Sequence, residues 1–355
     1  MKKAYPICLA LLSAALFGAL TPASKVLLTG LTAFQLAGLL YLGGAIGVMP
    51  ALFRGRRSRA LTRIDRKNAL RLGGAILFGG IVGPVLLLAG LRLASAASVS
   101  LWLNLELAAT ALLGYFVFRE HLGLSSWLAV VSVMVAGSLL SIGEGPAGIA
   151  AGLLVAAACL CWGMDNHLSA LIDGLTPAES TFYKSCIAGT VNLAIGLAMT
   201  PLEATLTTGG IALLVGALAV GTSITLDIAA AQMIGATRGQ LFFATAPFFG
   251  VLGSALFLGE SLTLWHGLAT VLIAMALFLL TREKHLHAHV HQYLEHEHLH
   301  RHDDLHHTHP HHGIPASTRH SHYHRHEPTG HSHPHWPDLH HRHRHDNSDS
   351  KTAKD

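Results

Sequence analysis

Apolar runs of roughly 20 residues recur along the chain, with only short polar breaks between them, as far as residue 281. A bilayer core needs about 20 apolar residues per helix, and runs this long are too numerous for a soluble core. The pattern predicts ten spans, at residues 5–28, 31–53, 71–93, 96–117, 123–142, 149–171, 178–200, 209–234, 239–258 and 262–281. Beyond residue 281 the pattern stops, and His, Arg, Asp, Glu and Pro take over. So few apolar residues cannot offset the entropy of ordering, so this tail is expected to be disordered. The expected fold class is an all-α membrane protein with a disordered His-rich tail.

The apolar pattern repeats itself. Glu120, Leu122, Leu124, Leu128, Ala129, Val131 and Ala136 recur 140 positions later as Glu260, Leu262, Leu264, Leu268, Ala269, Val271 and Ala276. Phe17-Gly18 matches Trp162-Gly163, and Gly30-Leu31-Thr32 matches Gly174-Leu175-Thr176. The chain therefore divides into a first repeat (1–143), a second (144–281) and a tail (282–355). Five spans per repeat insert the second half upside down, the arrangement that supports alternating access. Because the first apolar run has an internal counterpart, it is read as an uncleaved span and not as a signal peptide.

Charge sets the orientation. Arg54, Arg56, Arg57, Arg59, Arg63, Arg66, Lys67 and Arg71 crowd the break after the second span. Lys2, Lys3, Arg119, Arg238, Arg282 and Lys284 fall on the same side of ten spans, against little more than Lys25 and Arg92 opposite. The positive-inside rule then places both termini in the cytoplasm of a multi-pass protein of the plasma (inner) membrane. Membrane orientation accounts for the basic residues, and no nucleic-acid partner is expected. Cys8, Cys159, Cys161 and Cys186 all fall in apolar segments and read as small buried residues, not a disulfide framework. No phosphate-binding G-x-x-x-x-G-K-[ST] loop occurs, so an enzyme or nucleotide-driven pump is not indicated and gradients would drive any transport.

A few polar residues interrupt the apolar body. Glu106 falls near the middle of the fourth span beside Asn104, with no basic residue in that span. Carboxylates at such depth are expensive and usually mark a wet cavity or a proton or ion path. Asp165 and Lys184 lie at matching depth in the sixth and seventh spans and could form a buried pair; Asp227 is a second candidate partner. These five residues (Asn104, Glu106, Asp165, Lys184, Asp227) are the expected substrate or proton pathway. Asp165, Asn166 and His167 wrap most of the way round one helix, so they cannot all face one cavity. Gly43-x-x-x-Gly47 and Gly79-x-x-x-Gly83 are spaced for close helix contact. Pro84 and Pro247 sit mid-span, where proline kinks a helix.

The paired halves resemble the EamA domains of the drug/metabolite transporter superfamily over residues 5–281. The resemblance rests on Phe17-Gly18, Trp162-Gly163, Phe-Arg-Glu120, Leu-Gly-Glu260 and Ala244-Thr245-Ala246-Pro247. It implies ten helices, both ends inside, and a central cavity walled by spans one to four and six to nine. The family often carries proline in the fourth span, where this chain has Asn104-Leu105-Glu106-Leu107. Asn-Leu-Glu with a His-rich tail is similar to one branch of that family.

All but three of the 27 histidines (His121, His167 and His266) lie in the tail. Its candidate metal ligands are His285, His287, His289, His291, His296, His298, His300, His302, His331, His333 and His335. Imidazole in such runs suits Zn, Ni, Co or Cu. His296-Glu297-x-x-His300 formally matches the zinc-protease pattern, a chance match in so histidine-rich a tract. The leading expectation is a secondary transporter exporting a small metabolite, with a metal-binding tail and no required cofactor. Transition-metal efflux and a non-transporting metal sensor or store are the alternatives. The partners expected are a small molecule or ion as substrate, the lipid bilayer and divalent metals, with a homodimer as an option.

Overall fold

The computed structural model describes residues 4–54, 65–119, 122–172, 175–234, 242–281, 286–290, 294–300, 320–326 and 330–334. Among them, eight helices are long and apolar enough to cross a membrane: Tyr5–Leu27, Ala33–Phe53, Arg66–Leu93, Ala96–Phe116, Leu124–Gly143, Gly145–Ala170, Pro177–Met199 and Leu206–Ala230. They are called spans 1 to 8 here. Two shorter apolar helices follow, Ala246–Leu258 and Leu264–Leu280, at the places expected for spans 9 and 10.

Helix starts follow local chemistry. Spans 2 and 7 begin with the same device: a threonine hydroxyl accepts from a backbone N–H while a side chain three residues on reaches back. In span 2 the Gln35 N–H donates to Thr32 Oγ1 and the Thr32 N–H to Gln35 Oε1 (3.2 and 3.1 Å). In span 7 Thr176 and Glu179 exchange the equivalent bonds (3.2 and 2.8 Å). Each box satisfies two otherwise orphaned donors.

Packing is organised by exchange between the halves. Span 2 lies on span 7, and span 5 on span 10. Span 1 packs on span 9, as span 6 packs on span 4; span 1 meets span 8, as span 6 meets span 3. Glycine sets the two cross-contacts at paired positions. A Cβ on Gly18 would meet Phe249 Cβ at 2.8 Å and the Gly250 N at 3.0 Å. One on Gly163 would meet the Thr110 N at 3.0 Å and press on Ala109, the positions 140 residues before Gly250 and Phe249. Gly43 and Gly47 both pack against span 8 backbone around Ala217, the close contact their spacing predicts.

Spans 3 and 8 each contain a π-helical stretch, Ile76–Val82 and Ala217–Thr222, again about 140 residues apart. Spans 4 and 9 are broken at matching places, by turns at Leu103-Asn104 and at Ala244-Thr245. Pro247 sits in the first turn of the helix after that break, where the missing N–H costs nothing. It starts a helix instead of kinking one.

The tail departs from expectation. Its described residues are extended: Leu286–Val290 (β1) pairs antiparallel with Gly330–Pro334 (β4), and Leu294–His300 (β2) with His320–His326 (β3). Histidine at every second position is a period-two pattern, which suits a strand. The register sets His287 opposite His333, His289 opposite His331, and His296, His298 and His300 opposite His324, His322 and His320.

Candidate functional site

The site begins with a proline and two glycines in span 3. Pro84 has no N–H to give the Gly80 carbonyl, the bond an α-helix would require. In the same turn the Gly83 N–H reaches back five residues to Phe78 O, which frees the Gly79 carbonyl as well. Three side chains from three other spans take up these acceptors. Tyr41 Oη and Trp162 Nε1 both donate to Gly79 O (2.6 and 3.0 Å), and Asn192 Nδ2 donates to Gly80 O (3.0 Å). The π turn thus joins spans 2, 3, 6 and 7 at one level.

Directly beside it lies the ion pair anticipated from sequence. Lys184 Nζ donates to Asp165 Oδ2 at 2.5 Å, with both side chains largely buried. Asp165 also accepts from Ser169 Oγ (2.8 Å). The glycines make room: a Cβ on Gly79 would collide with the Asp165 carboxylate, and one on Gly80 would meet Ala188 Cβ at 2.5 Å and Lys184 Cγ at 3.3 Å. The Gly79-x-x-x-Gly83 spacing therefore serves a polar contact between spans 3 and 6, and a Cβ on Gly83 would meet Trp162 Nε1 at 3.1 Å.

Glu106 occupies the first turn of the half-helix Leu105–Phe116 that follows the break in span 4. Asn104 shapes the break, its Nδ2 donating to Leu101 O (3.1 Å) where the backbone runs in three-residue turns. The break occurs here without a proline. A helix N-terminus favours negative charge, so the break itself helps to hold the carboxylate. Glu106 Oε1 accepts from Asn166 Nδ2 (2.8 Å), which also approaches Thr110 Oγ1 (3.4 Å). Among the described residues its hydrogen-bond partner is thus a neutral amide, whereas Asp165 has a lysine.

Span 6 sorts its neighbouring polar residues by face. Asp165 turns to span 7, while Asn166 and His167 turn to span 4. His167 Nε2 lies 3.0 Å from Thr110 O and its ring stacks on Phe118 at 4.2 Å, a hydrogen-bonded histidine buried away from the pair. Asp227 is half-buried in span 8, and its Oδ1 is enclosed with no hydrogen-bond partner among the described residues. It does not join Lys184, which is taken by Asp165. Of the cysteines, Cys159 is buried, Cys161 and Cys186 are half-buried, and all are free. Cys8 is exposed, contrary to the expectation of burial, because it lies on the outward face of span 1. Glu120, His121, His285, His291, His302 and His335 lie outside the described residues, as does the basic stretch 55–64. Among the described residues, no three His, Cys, Asp or Glu side chains gather as a metal ion would require.

Sequence reasoning missed Tyr41 and the role of Trp162 as a donor. The signal was present in Gly79-Gly80 followed by Gly83-Pro84, which announces unpaired carbonyls that need partners. It also missed a second polar network at the opposite end of the bundle. There Glu144, between spans 5 and 6, accepts from the hydroxyls of Ser95 and Ser98. Burial pushes the Glu144 carboxyl up, but those hydrogen bonds outweigh it and hold it below the ordinary carboxylate range.

Residues 4–142 and, separately, 149–282 match the EamA-like transporter family. A relative from Methanothermobacter thermautotrophicus, described as an uncharacterized transporter, is 29% identical over 240 residues, covering 63% of this chain and 68% of its own. A solved crystal structure superposes with a TM-score of 0.56 at 19% identity, covering 78% of this chain and 98% of that one, a likeness of fold alone.

Proposed function

The chain belongs to the EamA-like transporter family, and we propose that it is a gradient-driven exporter of a small metabolite. The observation that carries this reading is Glu106. It is an acidic group in the middle of a span, held by a neutral amide at a helix break, while the neighbouring Asp165 is neutralised by Lys184. A carboxylate placed so binds and releases a proton or a cation as its surroundings change. Asn104 shapes the break, the Asp165–Lys184 pair lines the path, and Asp227 is the second carboxylate along it.

Ten spans in two inverted repeats, with both termini in the cytoplasm of the inner membrane, complete the reading. It is supported by the paired capping boxes, π turns, helix breaks and glycine contacts, and by the basic residues on one side. Glu106→Gln keeps the hydrogen-bonding shape and removes the charge. That variant is expected to insert normally and to lose transport, measured as substrate efflux from loaded vesicles under an imposed proton gradient. Undiminished efflux would reduce Glu106 to a structural residue.

The tail is proposed to bind divalent ions such as Zn, Ni, Co or Cu. Five positions at which histidine is set opposite histidine favour this, since each such rung brings two imidazole-bearing residues together. The second reading, transition-metal efflux fed by the tail, rests on the same observation.

A further inference from the structure

At the end of the bundle remote from Asp165 and Lys184, the start of span 4 is held by a residue that follows span 9. Span 9 ends at Gly259, whose φ of 65° is the left-handed conformation glycine adopts freely. The turn delivers Glu260 across the bundle. Its two carboxylate oxygens accept from the Ala96 and Ala97 N–H groups at 2.8 Å each. Ser95 Oγ accepts from the Ser98 N–H (3.2 Å). Three of the donors that open every helix are thereby satisfied, two of them by a single carboxylate from the other half.

The surrounding contacts lead to the same place. Ser98 Oγ donates to Glu144 (2.5 Å) and lies 3.0 Å from His266 Nε2. The Thr263 N–H donates to His266 Nδ1 (3.1 Å), which fixes the proton on Nε2, facing Ser98. Lys25 Nζ donates to the Leu91 and Ala94 carbonyls (2.6 and 2.7 Å), and Arg92 donates to Leu31 O (2.7 Å). One turn deeper, Ser100 of span 4 packs on Gly250 of span 9, with no side chain between.

We propose that Glu260 is the latch that closes this end of the transport path, and that spans 4 and 9 part here only when its carboxylate leaves the Ala96 and Ala97 N–H groups. The contact of Ser100 with Gly250 carries no hydrogen bond across it to resist separation, because the Ser100 hydroxyl donates to Ala96 O of its own helix (2.8 Å). The Glu260 bonds do resist it, because opening must hand two helix-terminal N–H groups to water. A latch at one end of an alternating path also biases the other end: releasing it shifts the population toward the state open here and away from the state open opposite.

The inference rests on the transport reading, and its test separates the two. In the full-length protein with the four native cysteines replaced, a single cysteine is placed at Ser100 (S100C) or at Thr110 (T110C), toward the other end of span 4. Each is labelled with a membrane-impermeant thiol reagent, from outside in intact cells and from the cytoplasmic face in inverted vesicles. Adding Glu260→Gln is expected to raise the outside rate at S100C by about tenfold and to lower the cytoplasmic rate at T110C. A rise at both positions means that the bundle has merely loosened, and no change at S100C means that Glu260 does not hold the closure; either result overturns the latch. Failure of the transport reading shows differently, as accessibility in the parent protein that no substrate or ion gradient alters.

Discussion

At the scale of single residues, the intramembrane charges divide into the pair of Asp165 with Lys184 and two carboxylates, Glu106 and Asp227, that have no ion-pair partner among the described residues. Asp165 and Lys184 meet at 2.5 Å, with Ser169 completing the carboxylate. Removing one partner of a buried pair strands a charge and costs about 3–5 kcal/mol. Asp165→Asn and Lys184→Met are therefore each expected to lower the midpoint of thermal unfolding in detergent. The exchange Asp165→Lys with Lys184→Asp should recover a substantial part of that loss. If the exchanged protein is as unstable as the worse single variant, the pair does not hold spans 6 and 7 together. This pair was legible in the sequence because depth counting needs only the helical rise and the span boundaries. The unpaired Asp227 was misread as an alternative partner because depth says nothing about azimuth: Lys184 turns to span 6 and not to span 8. Tyr41 was invisible for a related reason. A tyrosine in an apolar helix reveals its partner only when that partner's free carbonyl is known.

At the scale of elements, the two halves show how far a repeat in sequence carries. The run of matches 140 residues apart brackets the turns after spans 4 and 9, where Gly259 and Arg119 stand at the same step. Gly259 has φ 65° and Arg119 has φ 57°, the same left-handed turn just before the paired glutamates. Glycine adopts that conformation without penalty, whereas a residue with a Cβ gives up roughly 1–2 kcal/mol. Arg119→Gly is thus expected to stabilise the protein by about 0.5–1 kcal/mol once the larger entropy of unfolded glycine is deducted. The check is the thermal or denaturant midpoint in detergent. A fall would mean that the Arg119 side chain earns more through its contacts than its backbone loses. The helix breaks were harder to foresee. Span 9 announces its break with Pro247, but span 4 makes the same break with Asn104, through three-residue turns and a side-chain bond to Leu101 O. Absence of proline there had read as a departure from the family; the geometry is kept by another residue. The π turns were not foreseen at all, because hydropathy is blind to whether a carbonyl bonds four or five residues on.

At the scale of the whole molecule, an apolar membrane body is joined to a histidine-rich tail, and the prediction that belongs here concerns their independence. The polar cluster of the body is built entirely from spans 2, 3, 4, 6 and 7, and the Glu260 contacts lie at its other end. Among the described residues, no partner of either comes from beyond the last span. A chain ending at Lys284 is therefore expected to insert, to fold and to transport its substrate at the full-length rate. What it is expected to lose is the metal binding proposed for the tail, measured as equilibrium uptake of Zn or Ni by the purified protein. That binding requires neutral imidazole, whose reference pKa is about 6.5, so in the full-length protein it should be strong at pH 7.5 and largely released below about pH 5.5. The opposed positions sharpen the expectation. Replacing His296, His298 and His300 with Gln removes one side of three rungs, so it should weaken uptake more than replacing His306, His307 and His309. If the shortened chain is folded in the membrane but no longer transports, the tail is part of the path, and transition-metal efflux displaces metabolite export as the function of the body.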